Sequence, residues 1–209
     1  MKHMRKKRLE ALLERIPAHP SPKVALEQYT VPGETAAEIL FIADKIFNDV
    51  KCRRIVDLGC GTGRLSIGAA LLGACRVIAV DIDRAAVKLL RENLEKFNLK
   101  DRVQPVIADI QAVEGSFDTV IQNPPFGVRR PGADRPFITK ALRISRVVYS
   151  LHKSDVKSRY FIKRLVERNN GEITHIFNMR MRMPRIFPYH RKRIHEFNVD
   201  LYRMISHGK

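Results

Sequence analysis

Tryptophan is absent from this chain, and cysteine is scarce: Cys52, Cys60 and Cys75 are odd in number and form no C-x-x-C pair. Neither a disulfide framework nor a zinc cluster is indicated by so few thiols at such spacing, so no metal site is expected. Long apolar runs are missing too. None approaches the roughly 18–20 residues that span a bilayer. The basic start, Met1 to Arg8, leads into Leu9-Glu10-Ala11-Leu12-Leu13-Glu14, which is too amphipathic for a signal peptide. A cytoplasmic protein without a membrane partner is therefore expected. Acidic residues are short as well, with 22 Asp/Glu against 39 Lys/Arg. The shortage is uneven: 14 acids face 19 bases up to Asp109, but only 8 face 20 after it. A basic excess gathered in one half argues for a polyanionic partner, nucleic acid before any other.

What is present is a regular strand–helix alternation. At 209 residues the chain is long enough for one domain with a real core. Residues 1–50 read as a helical extension packed on it, with helices over Arg5–Ile16 and Glu34–Phe47. Strands follow at 54–58, 76–80, 103–108, 117–121 and 147–151. Helices are expected over Leu65–Leu72, Arg84–Phe97, Pro136–Arg146 and Asp155–Arg168. Two alternating runs, Glu172–Met183 and Ile194–Ile205, flank Pro184, Pro188 and His190-Arg191-Lys192-Arg193 and suggest an antiparallel hairpin at the sheet edge. The fold class expected is α/β, with a mostly parallel sheet and helices on both faces.

The first strand enters a glycine-rich turn, Asp57-Leu58-Gly59-Cys60-Gly61-Thr62-Gly63. Such a turn brings backbone against a ligand. Its G-x-G-x-G spacing is not the dinucleotide fingerprint, and no G-K-[ST] follows to make a phosphate loop. Acids stand at successive strand ends. Asp57 would favour a cationic group, Asp81 can take both ribose hydroxyls, and Asp109 can accept from an adenine amine. Ribose, adenine and a positive centre without phosphate describe S-adenosylmethionine. Any one of these acids could instead be a helix cap, the role expected for Asp83.

The fourth strand runs into Asn123-Pro124-Pro125-Phe126. Two prolines end the strand and hold Asn123 extended at its carboxyl end, the ligand-binding end of a parallel sheet. A rigid amide beside an aromatic ring suits a planar group bearing an NH2.

These motifs resemble the class I, Rossmann-like, S-adenosylmethionine-dependent methyltransferases acting on planar nitrogens. Leu26-Glu27-Gln28-Tyr29, Val148-Tyr149-Ser150-Leu151-His152-Lys153 and Glu196-Phe197-Asn198-Val199-Asp200-Leu201 behind His190-Arg191-Lys192-Arg193 resemble one subfamily of them. It comprises the archaeal and eukaryotic small-subunit rRNA adenine-N6 methyltransferases, known in animals as methyltransferase-like protein 5. The resemblance covers almost the whole chain. It implies a seven-stranded sheet with the last strand antiparallel, and cofactor contacts from Gln28, Gly59, Thr62, Arg64, Asp81, Asp109 and Ile110. Where the family often has Pro-Thr-Arg-Pro, this chain reads Thr30-Val31-Pro32-Gly33, which shifts a threonine contact to Thr30 or removes it. A small zinc-binding activator along a sheet edge is implied for many relatives.

The chemistry expected is transfer to an adenine N6, with Asn123 and the Pro124 carbonyl gripping the amine and Phe126 stacked on the base. RNA contacts are expected from Arg129, Arg130, Arg135 and Arg191-Lys192-Arg193. Phe137 is a second stacking ring or a core residue, and His152 faces RNA or lies in a solvated loop. The alternatives are a release-factor-type protein glutamine-N5 methyltransferase, a DNA adenine methyltransferase, and a non-catalytic RNA-binding protein on the same fold.

Overall fold

A computed structural model describes residues 4–127, 130–184 and 194–208. The strands are β1 (Arg54–Leu58), β2 (Arg76–Asp81), β3 (Val103–Ile107), β4 (Phe117–Gln122), β5 (Ser145–Lys153), β6 (Gly171–Pro184) and β7 (Ile194–Ser206). They form one sheet in the order β3-β2-β1-β4-β5-β7-β6. The first five are parallel, and β7 lies antiparallel between β5 and β6. The expected hairpin is thus at the edge, with the last strand inside it. Proline is tolerated at the other edge, where Pro105 sits in β3.

Six helices cover the sheet: α1 (Lys6–Glu14), α2 (Gly33–Phe41), α3 (Arg64–Leu71), α4 (Arg84–Lys96), α5 (Arg135–Ile144) and α6 (Val156–Arg168). Strand alternation sorts the core into two layers. Ile55 faces a layer with Leu9 and Leu13 of α1, Ile39 and Leu40 of α2, Ile67 of α3 and Leu90 of α4. Val56 and Leu58 face the other, with Ile138 and Leu142 of α5 and Ile162 and Val166 of α6. The N-terminal extension is therefore part of one layer's packing.

Two boundaries differ from the sequence reading. The helix expected to reach Phe47 is regular only to Phe41, then widens into a π-turn over Ile42–Ile46. The widened turn accompanies burial of Asp44, whose carboxylate accepts from Lys51 N at 3.2 Å. The helix expected to reach Arg146 stops at Ile144, because Ser145 turns extended and its hydroxyl donates to the Ala141 carbonyl at 2.9 Å. That hydroxyl satisfies a carbonyl the helix end leaves open.

Candidate active site

The strand order reverses between β1 and β4, and the crevice beyond their carboxyl ends is where such sheets bind ligands. A cavity of about 660 Å³ opens there. Its floor comes from the turn after β1. Gly59 N and Cys60 N donate to the Val80 carbonyl at 2.8 and 3.0 Å, folding the turn over the end of β2. Gly59 has φ +73, and a Cβ there would stand 3.1 Å from the Phe137 ring, so glycine serves both the turn and the close approach.

Asp81 binds that turn to the next. Its carboxylate accepts from Gly61 N at 2.8 Å and from Asp83 N at 2.9 Å. Burial raises its pKa, against the lowering effect of those two amides. Asp83 caps α4 through Ala85 N, as the sequence suggested, and also collects the segment between α1 and α2. Lys23 Nζ and Gln28 Nε2 each lie 2.9 Å from its carboxylate, and His19 Nε2 lies 3.3 Å away. Although burial pushes the other way, the Gln28 and Lys23 hydrogen bonds hold its carboxyl down at about 2.

Arg64 pins the two ends of the same segment. Its guanidinium donates to the Ile16 carbonyl at 3.2 and 2.8 Å and to the Val31 carbonyl at 2.8 Å. Residues 25–31 thereby become the front wall of the cavity.

The opposite wall carries Asn123 and Pro125 at the end of β4. Asn123 Oδ1 is buried and has no hydrogen-bond partner among the described residues; the same holds for Thr62 Oγ1 on the floor. Behind this wall, Gln122 Nε2 donates to Ser150 Oγ at 3.0 Å, and Ser150 Oγ is 2.7 Å from His152 Nε2. His152 Nδ1 is 3.4 Å from Asp134, beside the Pro131–Ala133 turn that lines the cavity. His152 is only 2% exposed, so it sits in a buried polar chain and does not face RNA.

Of the residues expected to hold the cofactor, Gln28, Thr30, Gly59, Gly61, Thr62, Arg64, Asp81, Asp109 and Ile110 line the cavity. Asp109 also caps the turn after β3 by accepting from Gln111 N at 2.8 Å. Two others do not line it. Asp57, expected at the mouth of the turn, is 1% exposed beneath the floor, with Ser66 Oγ donating to it at 2.5 Å. Burial pushes its carboxyl up to about 7. Gly63 stands at the start of α3 with φ +95, and a Cβ there would meet Leu90 Cδ1 at 2.2 Å. Its role is packing.

Pro124 and Phe126 lie outside the lining as well. The Phe126 ring packs 5.1 Å from the Tyr29 ring and 6.2 Å from that of Phe197. Phe137 both lines the cavity and packs on the core. Arg130 and Arg135 line the entrance, whereas Arg129, Arg191, Lys192 and Arg193 lie outside the described residues. Tyr29, His19 and Ile82 line the cavity without having been singled out. Ile82 had a legible signal: it is an apolar residue between Asp81 and Asp83, and it is 54% exposed.

The cavity fits S-adenosylmethionine by its own chemistry. Carboxylates stand at the ends of β2 and β3, a glycine turn approaches closely, and two buried oxygens lack donors. Its volume is in the range of small-molecule sites.

The profile of the methyltransferase small domain matches residues 40–144. The rRNA N(6)-adenosine-methyltransferase METTL5 of Danio rerio is 34% identical, with 96% of this chain and 98% of that protein aligned. The Drosophila melanogaster protein of the same name is 33% identical over 97% of each. The crystal structure of a candidate RNA methyltransferase from Pyrococcus horikoshii superposes with a TM-score of 0.90 at 41% identity, covering 97% of this chain and 98% of that one. With that fold and cavity, the chain belongs to the methyltransferase small domain family and, within it, to the METTL5 group of S-adenosylmethionine-dependent methyltransferases.

Proposed function

We propose that this enzyme methylates the exocyclic N6 amine of an adenine in RNA, specifically in small-subunit ribosomal RNA. The observation that carries this reading is Asn123. Its Oδ1 is buried in the cavity wall without a partner, held by a proline-stopped strand end. A buried acceptor left unpaired costs on the order of 1–3 kcal/mol, so a wall that keeps one is suited to a ligand that donates. An adenine amine carries two hydrogens and a lone pair delocalised into the ring. Asn123 Oδ1 accepts one hydrogen and the Pro124 carbonyl the other, which draws the nitrogen towards tetrahedral geometry and frees the lone pair. The bound cofactor supplies an electrophilic methyl group. The nitrogen forms the new bond, and its surplus proton leaves to water. Positioning and electrostatic preorganisation provide the rate.

RNA is favoured over a protein amide by the basic second half of the chain and by the names of the METTL5 relatives. Arg130 and Arg135 at the cavity mouth, with Arg129 and the Arg191-Lys192-Arg193 string, would take phosphates, which position RNA without reading its sequence. Free thiols at all three cysteines accord with a cytoplasmic protein, and no described helix is long and apolar enough to cross a membrane. A small zinc-binding activator would pair along the β6 edge.

Asn123→Ala should lower kcat about 10²–10³-fold, as removal of one preorganised partner does elsewhere. Calorimetry should find cofactor affinity nearly unchanged. Wild-type turnover in this variant would sink the mechanism. Labelled-methyl transfer into small subunits, naked rRNA, DNA and release factor, with nucleoside analysis, tests the substrate. Label recovered in glutamine would establish the protein-methylating alternative.

A further inference from the structure

We propose that the outer face of α6 is a docking track for the substrate RNA strand that leaves the cavity, a reading that rests on the function above. The helix buries Ile162 and Val166 against the sheet, so the side chains opposite them form an outer ridge. On that ridge Tyr160 is 68% exposed and Val156 84% exposed. Lys157, Lys163, Arg164 and Arg168 surround them, and Glu167 is the helix's one acid. Arg159 is held by the buried Asp200 at 2.7 and 2.9 Å, which fastens the helix to β7. The other four bases have no ion pair or hydrogen bond from their side chains among the described residues. A patch of unneutralised bases around an exposed aromatic ring is what a single strand uses, with phosphates on the cations and a base on the ring.

Two placements tie this face to the cavity. The helix starts just beyond the carboxyl end of β5, the end of the sheet where Asn123 lies. Arg135, which lines the cavity mouth, lays its guanidinium 4.4 Å from the centre of the Phe161 ring of α6. A strand leaving the cavity past Arg135 therefore meets the α6 face next, and the helix extends it by roughly 18 Å. The first turn supports the same reading. It contains no acid, and Lys157 stands where the helix dipole disfavours a cation. A polyanion supplies the charge that the fold omits.

The experiment compares wild type, Tyr160→Ala and the double variant Lys157→Glu/Arg164→Glu. Each binds a fluorescent single-stranded RNA 20-mer and methylates small-subunit rRNA, with thermal unfolding and cofactor calorimetry as controls. All four substituted side chains are exposed, so unfolding and cofactor affinity should match wild type. The charge reversal should weaken RNA binding more than tenfold and reduce the slope of log K against log salt by about 1.4, or about 0.7 per phosphate lost. Tyr160→Ala should weaken binding about tenfold at an unchanged slope. In both, KM for RNA should rise with kcat little altered. Wild-type affinity and slope in both variants would overturn the track while leaving the methylation reading intact. Loss of binding to assembled subunits alone would also overturn it, in favour of a protein contact. Wild type that neither binds nor methylates RNA would remove both readings.

Discussion

Two aspartates close together in sequence and space show how little a residue's identity says about its job. Asp81 reaches the cavity because two backbone amides, Gly61 N and Asp83 N, orient its carboxylate there. Asp57 lies beneath, meets only the Ser66 hydroxyl, and has its other oxygen unpartnered. Its carboxyl is pushed up from 3.8 to about 7, first by burial and then by the Asp81 charge, against the Ser66 hydrogen bond. The consequence for stability has a definite sign. Between about pH 4 and pH 7 the folded protein holds a proton at Asp57 that the unfolded chain has lost, so stability falls as pH rises through that window. The full effect is at most about 4 kcal/mol. Asp57→Asn should flatten this slope and raise the urea midpoint at pH 8 relative to wild type. Parallel pH curves for the two proteins would show that Asp57 folds without a linked proton. Asp83 acts the other way. Held at about 2, it stabilises the fold above the ordinary carboxylate range, and that contribution is lost as pH falls towards 2.

Among the elements, the segment between α1 and α2 depends most on others for its shape. Its short 3₁₀ turn, Val24–Leu26, buries no residue. Arg64 holds both of its ends, and Asp83 gathers His19, Lys23 and Gln28 at its centre. Remove the Asp83 carboxylate and the front wall of the cofactor cavity loses its central anchor, while α4 loses an N-cap worth about 1 kcal/mol. Asp83→Ala should therefore weaken cofactor binding at least tenfold and speed trypsin cleavage after Lys23. Asp83→Asn retains the cap and part of the network and should fall between. Unchanged cleavage and affinity in the alanine variant would mean that Arg64 alone fixes the wall.

Over the whole molecule, the N-terminal extension is fastened to the late strands through Asp49. Its carboxylate accepts from Tyr149 of β5 at 2.7 Å and from Arg203 of β7 at 3.0 Å, and its carbonyl accepts from Thr119 of β4 at 2.7 Å. Arg203 also lies 4.4 Å over the Phe47 ring. Elements 154 residues apart thus share one mostly buried charge pair. Breaking such a pair leaves the partner charge uncompensated. Arg203→Ala should lower unfolding free energy by about 2–3 kcal/mol. A denaturant m-value equal to wild type would accompany a single cooperative transition. Loss of the extension before the sheet, seen as a second transition, would show that the extension folds separately.

Period-two apolar strands, periodic helices and proline or glycine at their ends depend on neighbours in sequence, so the sequence alone determined the seven strands, their flanking helices and the motifs at strand ends. Asp83 as a cap was legible for the same reason, since capping acts over two residues. Chain proximity also let Gly59, Asp81, Asp109 and Asn123 be read as one site, because a parallel sheet brings successive strand ends together. Depth was not legible. Asp57 and Asp81 both end strands, and only the packing of the turn after β1 decided which lies beneath the floor. Gly63 looked like a ligand glycine until Leu90, 27 positions later, proved to occupy the space beside it. Tyr29 and His19 reach the cavity only because Arg64 and Asp83 fold a distant segment across it. Which nitrogen-gripping motif this is could be read from Asn123 and its prolines. That its oxygen is buried and unpartnered could come only from the tertiary structure, because burial is set by residues far away in sequence.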